Sequence, residues 1–160
     1  MKNTLIAAVA ALMLGFASTV ANAATTTATI AVTANVQSNC VISAAPLSFG
    51  NYTGAVNNAT SNVAVTCTNT TPYDIGLNAG TATGATTSTR KMQNGAALLN
   101  YTIFSDSPMS KNWGNVIGTD AVHGTGAGAV QNLTVYGQIP ASQYVTPGAY
   151  SDTITATLTY

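Results

Sequence analysis

Ala28-Thr29-Ile30-Ala31-Val32-Thr33-Ala34-Asn35-Val36 reads with a period of two. Ala28, Ile30, Val32, Ala34 and Val36 fall on one side, and Thr29, Ala31, Thr33 and Asn35 on the other. That is the pattern of a half-buried β-strand, not of a helix. The same alternation returns along the chain at Val63-Val65-Cys67, Tyr73-Ile75-Leu77, Leu99-Tyr101-Ile103, Leu133-Val135-Gly137 and Ile154-Ala156-Leu158-Tyr160. Turn-forming residues separate the runs: Pro46, Gly50 and Gly54, then Thr71-Pro72, Gly80, Gly84, Asn94-Gly95, Gly124 to Gly128 and Pro147-Gly148. Asn94-Gly95 lies between Lys91-Met92 and Leu98-Leu99, which predicts a hairpin. No stretch has a helical period of useful length, and 105–131 reads as the least regular part, with a long loop. The expectation is an all-β antiparallel sandwich.

Outward from the first run, the chain begins with Lys2, an apolar stretch from Leu5 to Phe16, and Ala21-Asn22-Ala23 in the A-x-A form of a signal-peptidase site. Residues 1–23 are therefore expected to be a removed export signal. The remaining 137 residues (160 minus 23) suit one domain. They carry Arg90, Lys91 and Lys111 against Asp74, Asp106, Asp120 and Asp152, a net charge of −1. No basic field exists to hold nucleic acid or anionic lipid. A near-neutral chain rich in Thr, Ala, Val and Asn suits a protein that assembles with others.

Cys40 and Cys67 are the only cysteines. An even count in an exported chain predicts a disulfide, because the compartment it enters is oxidising. Two sulfurs and the single His123 do not make a structural zinc set. No catalytic, cofactor-binding or metal constellation appears. The four aspartates are scattered, no G-x-S-x-G elbow is present, and Gly124-Thr125-Gly126-Ala127-Gly128 lacks the Gly-Lys-Ser/Thr of a phosphate loop. His123 reads as an exposed residue of that Gly-rich loop. The tyrosines and Trp113 could line a sugar-binding surface or plug the core, and the core reading is preferred. An enzyme is thus disfavoured.

The two ends suggest how the protein works. An alternating segment stands ahead of Cys40, and the last run stops at Tyr160. A sandwich ending on a core strand leaves a groove that a leading strand could fill. The sequence leaves open whether that filling is between molecules or within one.

In this order the chain resembles the spore coat protein U domain family, which includes the major subunits of archaic chaperone–usher pili. The residues that carry the resemblance are Val32-Thr33-Ala34-Asn35-Val36 before Cys40, Leu47-Ser48-Phe49-Gly50-Asn51-Tyr52, and Val63-Ala64-Val65-Thr66-Cys67-Thr68 with Pro72-Tyr73. They continue with Arg90-Lys91-Met92, Leu99-Asn100-Tyr101, Trp113-Gly114, Val135 to Pro140, and Gly148-Ala149-Tyr150-Ser151-Asp152-Thr153. The resemblance implies an incomplete immunoglobulin-like domain over 37–160 and an N-terminal donor strand over 24–36. It also implies a fold completed by another subunit, after a periplasmic chaperone has lent a strand and an outer-membrane usher has exchanged it. Partners would be other copies of the chain and tip or adaptor subunits, on a surface pilus that supports adhesion and biofilm formation. A secreted coat or matrix protein of the same fold is the alternative. The expected donor set is Ala28, Ile30, Val32 and Ala34. The expected acceptor groove is Phe49, Ile154, Ala156 and Leu158.

Overall fold

The computed structural model describes residues 22–160. The expected signal segment 1–23 lies outside them except for its last two residues. The chain divides into two units, the second running from Asn35 to Tyr160.

In the first unit, residues 24–34 have no assigned strand, helix or turn, and every side chain is exposed. Ile30 and Val32 are each 88 % exposed. The strand expected over Ala28–Val36 is therefore absent from the single chain, for a physical reason. An alternating segment without a neighbour has no ladder hydrogen bonds and no apolar burial to offset the entropy of ordering it.

The second unit is a two-sheet antiparallel sandwich, and no helix occurs among the described residues. Its strands are β1 (Cys40–Ala44), β2 (Asn57–Cys67), β3 (Pro72–Leu77), β4 (Arg90–Asn94), β5 (Ala97–Phe104), β6 (Val122–Thr125), β7 (Val130–Ile139) and β8 (Ala156–Thr159). One sheet has the order β1-β2-β7-β5-β4, and the other β6-β3-β8. Four of the alternating runs fall within β2, β3, β5 and β7, and the last overlaps β8. Their inward residues form the core: Val65 and Ile75 are fully buried, with Leu99, Ile103 and Ile139 close behind.

The hairpin at Asn94-Gly95 forms. Asn94 pairs with Ala97, and Gly95 takes φ 56°, a conformation that a side chain resists. Cys40 sits directly opposite Cys67 on β1 and β2, and the two are joined by the expected disulfide. Residues 105–121 of the irregular segment form no strand, and β6 follows them, pairing with β3 from Pro72–Thr125 to Ile75–Val122. One expectation needs correction. His123 accordingly stands on a strand, with Nδ1 3.1 Å from Asp74 Oδ1. Trp113 is core, 1 % exposed, and its indole N–H donates to the Ile75 carbonyl at 2.8 Å.

Candidate functional site

The sandwich is closed on one flank and open on another. On the closed flank, residues 113–114 are hydrogen-bonded to both sheets. The Trp113 N–H donates to the Ile103 carbonyl of β5 at 2.9 Å, and the Leu77 N–H of β3 donates to the Gly114 carbonyl at 2.8 Å. Arg90 completes this seal. It is fully buried, and its guanidinium donates to the carbonyls of Asn78 (2.9 Å), Thr87 (2.6 Å), Leu77 (2.9 Å) and Trp113 (2.7 Å). Burial pulls its pKa down, but a guanidinium stays protonated and no carbonyl partner is wasted. One cation thereby ties three turns together without a carboxylate in contact.

The open flank has no such filling. A cavity of about 490 Å³ opens between the segment Ala44–Phe49 and the segment Tyr150–Ala156. Its floor is apolar and includes Val63, Leu77, Ile103 and Val135. Past Leu47, Phe49, Met92 and Tyr150 it continues into a second depression of about 820 Å³, walled by 50–54 and 143–149. Among the described residues β8 is bonded to β3 on one side and to no strand on the other, and β1 is likewise an edge of its sheet. The cleft thus combines an apolar floor with walls that begin at the ends of two edge strands, Ala44 of β1 and Ala156 of β8. It offers what a β-strand carries, backbone partners and alternate side chains.

The walls are held rigidly. Gly137 on β7 leaves room for Leu47 and Phe49, since a Cβ there would lie 2.7 Å from Leu47 Cδ2 and 2.8 Å from Phe49 Cζ. Phe49 meets the Tyr101 ring edge-on, with centroids 6.0 Å apart. The opposite wall is pinned by Asp152. Its Oδ1 accepts from the Thr81 N–H (2.9 Å) and hydroxyl (3.0 Å), and its Oδ2 accepts from the Tyr101 hydroxyl at 2.8 Å. Burial, reinforced by the bond to the Asp152 carboxylate, pushes the Tyr101 pKa far above the ordinary phenol value, so it remains a donor. The backbones of Gln93 and Ser151 exchange two hydrogen bonds (2.8 and 3.1 Å), which fasten this wall to β4.

Of the expected groove residues, Phe49, Ile154 and Ala156 line the cavity. Leu158 does not. It pairs opposite Ile75 and packs against the core. The sequence reading missed Leu47, Met92, Tyr150 and Asp152. Leu47 was within reach, because it alternates with Phe49. Ala28, Ile30, Val32 and Ala34 form an exposed apolar set on their own segment. No cluster of metal-ligating side chains occurs among the described residues, and no described helix is long and apolar enough to cross a membrane.

Comparison with known proteins gives three results. Residues 26–157 match the Spore Coat Protein U domain. The chain is 35 % identical to Protein U of Myxococcus xanthus over 99 % of this chain and 98 % of that one. It is also similar to a chain in the crystal structure of the CsuC–CsuE chaperone–tip adhesion subunit pre-assembly complex, from archaic chaperone–usher Csu pili of Acinetobacter baumannii. That match has a TM-score of 0.58 and 25 % identity, and covers 78 % of this chain but only 40 % of the solved one.

Proposed function

The chain belongs to the Spore Coat Protein U domain family, and on that premise we propose that it is a structural subunit of a surface pilus built by the chaperone–usher route. Residues 24–36 of one copy act as the strand that fills the cleft of the next. The observation that carries this reading is the match between two unpaired features of one chain. The cleft has an apolar floor and stops at the ends of two edge strands, and Ile30 and Val32 of the leading segment are almost fully exposed.

The driving force is ordinary. Ile30 and Val32 would each contribute roughly 1.5–3 kcal/mol on full burial. The backbone of the segment would pair along the walls Ala44–Phe49 and Tyr150–Ala156 in the manner of strand addition. A free subunit with this cleft empty presents an open edge and an apolar floor, which favours aggregation. That accounts for a periplasmic chaperone as the first occupant, with an outer-membrane usher exchanging it for another copy or for a tip or adaptor subunit. Removal of residues 1–23 during export precedes these steps. The near-neutral, Thr-rich chain suits a structural part of a fibre that serves adhesion and biofilm formation.

A second reading follows from the near full-length likeness to Protein U: the chain builds a coat or matrix of the same fold. The two separate under the electron microscope. Material purified from the cell surface and exposed to SDS without heating should retain thin filaments and run as a ladder that collapses on boiling. A layer without filaments that dissolves to monomers under the same conditions would favour the coat reading.

A further inference from the structure

The cleft has a direction. Of β1 and β8 only Ala44 and Ala156 line the cavity, so it stops at these two strands, which are in contact with each other. At the other end it runs out between the loops 50–54 and 143–150. These loops touch: the Ser142 N–H donates to the Gly54 carbonyl at 2.8 Å, and the Tyr144 ring lies over Gly54. Tyr144 is nevertheless 90 % exposed, and Val56 is 54 % exposed. An inserted segment that remains joined to a whole domain must leave through this open end.

The tether is short. Six Cα steps separate Ala34 from Cys40, a reach of at most about 20 Å. Cys40 is fixed to Cys67, and Asn39 is fixed to Thr68, whose N–H donates to the Asn39 carbonyl at 2.9 Å. The end of the domain from which the leading segment departs is therefore a rigid face. It is formed by the turns 68–71 and 126–129, held together by bonds from the Thr70 N–H to Gly126 O (2.8 Å) and from the Gly126 N–H to Thr71 O (2.7 Å). Neither this face nor the rim at 53–56 and 140–149 contains a charged residue. The two surfaces can meet without burying an unpaired charge.

We infer that the rim around Tyr144 and Val56 is a docking surface for a second copy of this chain, and that it receives that copy's disulfide-bearing end. The inference rests on the strand-exchange reading and adds a domain-to-domain contact to it. In the fibre, Tyr144 is an anchor against the neighbour's turns 68–71 and 126–129, and it sets the angle between successive subunits. An exposed tyrosine at the centre of an uncharged rim is the kind of side chain that carries such contacts.

The test uses intact fibres. Tyr144→Cys combined with Ala129→Cys, treated with a short bismaleimide, should yield multimers that survive boiling. Ala129→Cys combined with Ile117→Cys, on a loop beside Gly76, should not. Fibres that keep the unheated ladder but give no boiling-resistant multimers from the 129/144 pair would overturn the docking surface and leave strand exchange standing. Loss of the unheated ladder from the native chain would remove both. Tyr144→Ser, with no added cysteine, supplies a second reading. It should keep the ladder and give fibres that bend more, and unchanged bending would equally reject the inference.

Discussion

β2 and the leading segment are written in nearly the same residues. Asn62-Val63-Ala64-Val65-Thr66 and Ile30-Ala31-Val32-Thr33-Ala34 both alternate apolar with small or polar positions. In β2, Val63 and Val65 are 2 % and 0 % exposed, and the strand is laddered to β1 and β7. In the leading segment, Ile30 and Val32 are 88 % exposed and no strand forms. Local pattern is thus permissive and the partner is decisive, because β-propensity expresses packing against neighbours more than an intrinsic backbone preference. β2 finds its neighbours within the chain. The leading segment has the pattern without the neighbours, as the proposed strand exchange requires.

The sharpest way to break the comparison is to place one charge in each segment. Val65→Asp buries an unpaired carboxylate in the core, a cost that exceeds about 4–5 kcal/mol and removes the folded domain. Periplasmic yield should fall to near zero. Ile30→Asp changes a residue of the same pattern, yet subunit yield and chaperone capture should be unchanged while fibres are lost. Normal fibres from Ile30→Asp would reject the segment as the inserted strand. A loss of yield equal to that of Val65→Asp would mean that Ile30 already serves its own domain.

The disulfide stands at the junction of the two regions. It closes a loop across a sequence separation of 27, worth about 3–4 kcal/mol on the chain-entropy view. Cys40→Ser should therefore lower the denaturation midpoint of the chaperone-released subunit and its periplasmic yield. Unchanged values would show that β1 holds to β2 through its ladder alone. A smaller effect is expected at β7. Gly137→Ala sets a methyl against Leu47 and Phe49, and overpacking of this kind costs about 1–3 kcal/mol. Because those two side chains form a cleft wall, the variant should assemble more slowly than its loss of stability alone predicts. Equal slowing by a stability-matched substitution elsewhere would remove the wall from the argument.

How much of this was legible beforehand follows the same logic. Runs long enough to show a period, and turns with explicit chemistry such as Asn94-Gly95, could be read directly. β6 could not: Val122-His123-Gly124-Thr125 is four residues with a glycine, and it is a strand because β3 lies beside it. Arg90 reads as a surface charge until the carbonyls of Leu77, Asn78, Thr87 and Trp113, which lie apart in sequence, converge on it. Trp113 sits in an irregular segment and enters the core only through tertiary packing. In the cleft, Ile154 and Ala156 belong to an alternating run, whereas Phe49 entered only with the family resemblance. Leu158 has the same alternation but does not line the cavity, and no local signal marks where a cleft stops. Asp152 could not be assigned a role from spacing, because its partners Tyr101 and Thr81 are fixed only by the fold.

That last pair yields the subtlest test of the rigid wall against the loose segment. Tyr101 is 3 % exposed, and its pKa is raised by burial and by the Asp152 carboxylate. Tyr73 is raised by burial alone. A tyrosine whose folded pKa is elevated is neutral in the fold when its unfolded counterpart ionises. Its contribution to stability is complete below the ordinary value of 10.0 and is lost as pH rises above it. One pH unit beyond that value the loss is about 1.4 kcal/mol for Tyr101. The urea midpoint of the subunit should accordingly fall between neutral pH and about pH 11, and Tyr101→Phe, although less stable at neutral pH, should fall by less over the same interval. The leading segment contains no titrating side chain, so assembled fibres should lose stability in alkali only as their domains do. If the Phe variant declined as steeply as the native chain, the alkaline sensitivity would have to lie outside the Tyr101–Asp152 contact, and the cleft wall would not be pinned by it.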